Sequence, residues 1–283
     1  MADGLKTQVV LLGTGSPVPD PERSGTAVAI VRNGSSYLVD CGAGCVRQAA
    51  KAFQKKDVQA LSVSNLKIIF ITHLHSDHTL GYPDLILTPW DHRDKPLEVY
   101  GPKGIRAMTE SLLQAYAEDI KVRTEGLQKS NPATVTPNVH EIQPGVIYKD
   151  ANVTVTAFPV KHGSFPNSFG YKFITPDKTI VISGDTALSE TVVEQARNAD
   201  ILIHEVYSAA KFAKVPPETQ KYLEAFHTST KQLAEIAGKA KPKLLIPLHM
   251  LGYSGLPRGT IKKEILESGY RGKIAESHDL AIY

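Results

Sequence analysis

Several things are scarce in this chain, and each scarcity removes a class of protein. The 283 residues include two cysteines, Cys41 and Cys45, both in the run Asp40-Cys-Gly-Ala-Gly-Cys45. Two thiols four apart make neither a disulfide framework nor a cysteine-rich zinc site, and a bridge between them would need a suitable local geometry. They read as two small buried thiols. No stretch of about 18 apolar residues occurs, so no membrane-spanning helix is expected. The opening Met-Ala-Asp-Gly-Leu-Lys has no charged region running into an apolar one. No secretory leader is therefore read, and the expected location is cytoplasmic; a periplasmic or secreted protein is the alternative if a leader has been removed. The 32 basic and 29 acidic residues nearly balance, leaving a formal charge of +3 with no basic block of five or more, so bulk charge does not announce a nucleic-acid partner. An apolar fraction of 42% supports a sizeable core and argues against disorder. The length fits one large α/β domain over residues 1–283.

What the chain does have is a dense polar cluster. Ile68-Ile-Phe-Ile71 is a short apolar, β-branched run that reads as a buried strand. It leads through Thr72 into His73, His75, Asp77 and His78, four metal-competent side chains within six residues. This order places them on the loop past a strand's carboxyl end, where layered α/β folds bind ligands. Imidazole nitrogen with carboxylate oxygen suits zinc, iron or manganese better than calcium or magnesium. The alternation of His73 and His75 points two side chains the same way, and Asp77 and His78 turn in a second direction. One metal cannot easily use all four from so short a loop, whereas two adjacent metals can.

The rest of the chain repeats this arrangement. Strands are expected at Gln8 to Leu12, Thr26 to Val31, Ser36 to Asp40, Leu66 to Ile71, Leu97 to Tyr100, Val153 to Val160, Ser168 to Ile174, Lys178 to Ser183, Asp200 to Glu205 and Leu244 to Leu248. Asn33-Gly34 is a hairpin signal between the second and third of these. Helical patterns cover Val46 to Phe53, a segment opening at Gly81 with Pro83 in its first turn, Ile105 to about Ile120, Thr191 to Asn198, and a helix starting after His227, with Thr228 or Ser229 as its cap. Lys121 to Pro144 is polar and proline-dotted and reads as a mobile insertion or partner contact. Gly13-Thr-Gly-Ser-Pro17 lacks the spacing of a nucleotide-binding loop. His73, His162, Asp185, His204 and His249 each follow directly on an apolar run, which suggests two β-rich halves packed face to face with helices outside.

Together, Leu12-Gly-Thr-Gly-Ser-Pro17, Asp40-Cys-Gly-Ala-Gly44, Thr72-His-Leu-His-Ser-Asp-His78, Ser183-Gly-Asp-Thr186, His204-Glu205 and His227-Thr-Ser229 resemble the metallo-β-lactamase-fold hydrolases, and within them the ribonuclease Z-like and arylsulfatase-like subgroup. The resemblance implies an α/β fold, a four-layer αββα sandwich. It implies two Zn²⁺ per chain, with Mn²⁺ or iron as substitutes. His73, His75 and His162 would hold one metal, Asp77, His78 and His249 the other, and Asp185 would bridge them. It also implies a bridging hydroxide as nucleophile, which Asp77 would help orient, and His227 as general acid oriented by Glu205. His204 would serve structure. His249 sits in Pro-Leu-His-Met, where a more polar Thr-His-Phe-Ser-like context is the family's pattern. His92, His140 and His278 match no motif and read as surface residues. Trp90 reads equally as a pocket wall or as core.

The resemblance leaves the substrate open. Ribonuclease Z carries a long tRNA-gripping arm between the third histidine and the bridging aspartate. Here that interval, His162 to Asp185, is 23 residues and is filled by a hairpin. The expected activity is therefore hydrolysis of small phosphodiesters or related esters. Arylsulfatase is a close alternative, with lactonase, tRNA 3′-processing and di-iron redox chemistry ranked below it. The redox reading would expect a glutamate in place of His75. A binding module that keeps only the scaffold would be expected to lose ligands that are all present here. The partner expected is a small ester. Transfer RNA and membranes are disfavoured, and a homodimer is left open.

Overall fold

The computed structural model describes residues 6–252 and 256–283. All but the last of the six residues read for a leader lie outside these. The chain divides into two compact units. One takes the chain up to Gly13, then Ser24–Ile142 and Asp279–Tyr283; the other takes Thr14–Arg23 and Gln143–His278.

The first unit is built on a six-stranded sheet in simple chain order, β1 (Gln8–Gly13), β2 (Ala27–Arg32), β3 (Ser35–Val39), β4 (Ile68–Phe70), β5 (Glu98–Gly101) and β6 (Asn138–Glu141). β1, β2 and β3 are antiparallel and the remaining pairs parallel. The connections dictate this change. Asn33 and Gly34 both take positive φ, 47° and 75°, as the tight turn joining β2 to β3 requires. Parallel neighbours need crossovers, and helices supply them: α1 (Cys45–Lys56) before β4, α2 (Ser76–Thr79) and α3 (Tyr82–Leu87) before β5, and α4 (Ile105–Ala115) and α5 (Ala117–Glu125) before β6. α1 buries Cys45, Val46, Ala49 and Ala52, one stripe of the helix, in a core with Leu38, Leu61 and Ile69.

The second unit repeats the scheme. Its sheet runs β7 (Gly145–Lys149), β8 (Thr154–Pro159), β9 (Phe169–Ile174), β10 (Thr179–Ile182), β11 (Ile201–Tyr207) and β12 (Leu244–Leu251). The pairs from β7 to β10 are antiparallel, and β10, β11 and β12 are parallel. α6 (Glu190–Gln195) links β10 to β11. α7 (Ala209–Phe212), α8 (Pro217–Phe226) and α9 (Thr230–Ala240) link β11 to β12, and α10 (Thr260–Glu267) follows β12. α9 buries Leu233, Ile236, Ala237 and Ala240 in a core with Val181, Leu202 and Leu245.

Most expected elements are present, with three corrections. Lys121 to Pro144 is not without regular structure: it completes α5 and supplies β6, the parallel edge strand of its sheet. Asp77 and His78 are not in a loop but in the single turn of α2. His249 does not follow a strand but lies inside β12. Trp90 is 1% exposed and so belongs to the core, and Cys41 and Cys45 are free, buried thiols. His92, His140 and His278 are exposed, and His140 lies 2.8 Å from Glu98. Among the described residues, no helix is long and apolar enough to cross a membrane.

Of the two cap candidates for α9, Ser229 is the cap. Its hydroxyl accepts from the Gln232 N–H while the Gln232 side chain returns to the Ser229 N–H, a reciprocal capping box. Ser229→Ala should lower stability by about 1 kcal/mol in urea denaturation. An unchanged midpoint would show that the box contributes nothing.

Candidate metal centre

In the first unit the candidate ligands sit at the carboxyl ends of parallel strands, as the crossover topology favours. His73 and His75 follow β4, and Asp77 and His78 lie in α2. One carboxylate organises this region. Asp40, at the end of β3 with φ 58°, accepts from the Thr72 backbone N–H at 2.8 Å, from the Thr72 hydroxyl at 2.9 Å and from His78 Nδ1 at 2.8 Å. A carboxylate that receives all of these only accepts, so His78 Nδ1 carries a proton, and in the neutral ring Nε2 is the nitrogen with a lone pair. The Thr72 hydroxyl spends its proton on Asp40, so its oxygen is left to accept from His73 Nδ1 at 3.0 Å. His73 Nε2 then lies 3.0 Å from His75 Nδ1. That separation is close to the tetrahedral edge, about 3.3 Å, implied by zinc–nitrogen bonds of ~2.0–2.1 Å.

In the second unit His162 lies between β8 and β9 and is 1% exposed. Its Nδ1 donates to the Phe226 carbonyl at 2.8 Å, so in the neutral ring Nε2 is the nitrogen with a lone pair. The Phe226 ring packs edge-on against His162, with centroids 5.1 Å apart. A side chain at Gly163 would meet that ring at 2.1 Å, so a glycine there permits the close approach. Asp185 follows β10 and is 2% exposed. His249 is the extra residue of a bulge: Glu205 pairs with Leu248 and Val206 with Met250. Its φ of 45° is uncommon for a side-chain-bearing residue, and the bulge re-aims the imidazole. His249 Nε2 lies 3.5 Å from Asp185 Oδ2. Asp185, His227 and His249 each offer a ligand atom within 4.8 Å of the others.

Glu205, buried on β11, is the counterpart of Asp40. Its Oε1 accepts from the N–H groups of Thr186 and Thr228 at 3.0 and 3.2 Å and from His227 Nδ1 at 3.1 Å. Burial raises its pKa, and His227 opposes the shift. His204 is wholly buried and donates from Nδ1 to the Glu205 carbonyl at 2.7 Å; desolvation lowers its pKa to about 4, so it is neutral at ordinary pH. Tyr222, 48% exposed, stacks on Phe226 at 4.6 Å, and its ring centroid is 6.0 Å from that of His227.

Each unit thus assembles its own share of the expected residues: His73, His75, Asp77 and His78 in one, and His162, Asp185, Glu205, His227 and His249 in the other. The residues fit a divalent metal by an internal criterion. In His73, His78 and His162 a protein acceptor holds Nδ1–H, which fixes the ring and directs Nε2 as a lone pair, the arrangement metal-ligating histidines use. Sequence reasoning assigned no role to Asp40, Thr72 or the Phe226 carbonyl. Asp40 carried the same signal as the ligands, a polar residue ending an apolar strand. The Phe226 carbonyl is a backbone atom and had no signal.

Comparison with known proteins bears on these observations. A family model described as "Beta-lactamase superfamily domain" matches residues 36–250. Ribonuclease Z from Mycobacterium sp. (strain KMS) is 31% identical over 250 residues, covering 86% of this chain and 84% of the relative. In structure, the metallo-β-lactamase fold protein YhfI from Bacillus subtilis superposes with a TM-score of 0.75 at 16% identity, covering 98% of this chain and 99% of that one. Human tRNase Z, short form, gives 0.71 at 24% identity, covering 98% of both.

Asp40→Asn preserves shape and removes the charge that holds His78. It should weaken metal retention in a chelator challenge by about 10- to 100-fold, the usual cost of losing such a support. Retention equal to the parent would contradict the orienting role. With most of its length matched by the family model and by a relative at 31% identity, this chain belongs to the metallo-β-lactamase superfamily, as a ribonuclease Z-like, metal-dependent hydrolase.

Proposed function

We propose that the chain hydrolyses phosphodiesters with two divalent cations, zinc foremost. His73, His75 and His162 would hold one, Asp77, His78 and His249 the other, and Asp185 both. When bound, such a pair supplies Lewis acidity and a water acidified toward neutral pH, which suits displacement at phosphorus. The chain's own residues supply the rest. Asp77 accepts a hydrogen bond from the attacking water and orients it. Glu205 holds His227 by Nδ1, so the other ring nitrogen faces the leaving oxygen and delivers a proton to it, because a neutral alcohol leaves more readily than an alkoxide.

One observation supports this reading above the others: the buried Glu205–His227 pair, 3.1 Å apart, with His227 Nδ1 3.9 Å from Asp185 Oδ2. A buried proton donor beside a candidate metal ligand suits esters whose leaving oxygen must be protonated to depart. Sulfate esters share the shape and the leaving group, so arylsulfatase activity belongs to the same test.

A second reading, cleavage of RNA, has its own support in the relatives named Ribonuclease Z. Against it stands the His162 to Asp185 interval, which β9, β10 and their short connections fill. A short aryl phosphodiester, an aryl sulfate and a precursor tRNA, assayed side by side, distinguish these readings.

His73→Ala or Asp185→Ala should abolish turnover of an activated aryl phosphodiester, and parental rates in both would rule out the mechanism. His227→Ala should slow esters with alkyl leaving groups by about 10²–10⁴ and nitrophenyl esters far less, since nitrophenolate needs little protonation. Equal losses on both would remove the acid role.

A further inference from the structure

A cavity of about 240 Å³ lies in the second unit at the start of α10. Part of its lining is apolar, with Pro247, Met250 and Ile261 among the residues. Its charged lining is mostly cationic: Arg23, Arg258 and Lys262, with a single carboxylate, Glu276. Arg23 is held in place by the Thr14 hydroxyl at 2.7 Å. The helix adds to the charge. α10 begins after Gly259 with no side-chain cap and no acidic residue in its first turn, so its leading N–H groups present positive potential. Arg258 and Lys262 flank that terminus in sequence and line the same cavity. None of the seven proposed metal ligands lines it.

We propose that this cavity binds a small phosphorylated molecule. The cationic lining and uncapped helix start match a phosphate dianion, and a guanidinium can engage it through two parallel hydrogen bonds. The apolar part of the lining matches the ligand's carbon skeleton or ring. The volume is below the usual range for drug-sized ligands, about 300–1,000 Å³, so the molecule is small. Pro247 and Met250 bracket His249 on β12, so the occupant rests on the strand that carries a candidate ligand.

The test is calorimetric titration of the metal-loaded protein with inorganic phosphate, adenosine 5′-monophosphate and a six-nucleotide RNA, for the parent and for Arg258→Glu/Lys262→Glu. Phosphate and the mononucleotide should each lose at least tenfold in affinity at one site per chain, while turnover of an activated aryl phosphodiester stays within about twofold. Lys262→Gln, a milder change checked by its thermal melt, should weaken the mononucleotide at least threefold. Equal affinities in parent and variants, or a loss confined to the RNA, would overturn the proposal.

Discussion

The Nδ1–H of each of three candidate ligands, His73, His78 and His162, is tied to a protein acceptor, and the rest of the site depends on that constraint. Thr72, Asp40 and the Phe226 carbonyl are those acceptors, at 3.0, 2.8 and 2.8 Å. Burial makes the tie effective. His73 and His162 are essentially inaccessible, as is His78, so an imidazole has neither water to bond with nor room to rotate. A neutral ring with a fixed tautomer can present only its second nitrogen, which is what a divalent cation requires. Glu205 does the same for His227, the proposed proton donor, at 3.1 Å.

The fold exists to deliver these acceptors. In both sheets an antiparallel ladder gives way to parallel strands joined through helices, and the polar residues come from the carboxyl ends of the parallel strands: Asp40 after β3, His73 after β4, Asp185 after β10 and Glu205 on β11. Asp40 and one further position, the candidate ligand His249, depart from ordinary backbone. Asp40 has φ 58° and His249 has φ 45°. Strain of this kind costs of order 1–3 kcal/mol and persists where the surroundings over-determine it. At Asp40 the bonds to Thr72 and His78 do so, and at His249 the bulge in a strand buried at every position but its two ends does.

Much of this was legible from residue order. An apolar run ending in a histidine or aspartate marks a strand that carries a site residue, and that single pattern located His73, His162, Asp185 and His249. The hairpin at Asn33-Gly34 was legible because it needs two residues at positive φ. What was hidden has physical reasons. β6 lies in a polar, proline-dotted stretch because it is an edge strand, largely exposed, and has no apolar alternation to display. α8 has one buried residue, Leu223, so its periodicity is weak, yet its last carbonyl holds His162. The bulge at His249 comes from the pairing register of β11 with β12, which no local pattern encodes. Asp40 could have been found, since it ends an apolar strand as the ligands do.

The proposed activity depends on two divalent cations held by the chain. X-ray absorption spectroscopy of the zinc-loaded protein tests it most directly. A mixed nitrogen and oxygen shell at ~2.0–2.1 Å is expected, with a metal–metal scattering path near the 3.5–4 Å separation typical of two-metal sites and about two zinc ions per chain. A nitrogen and oxygen shell without the metal–metal path, at one zinc per chain, would contradict it.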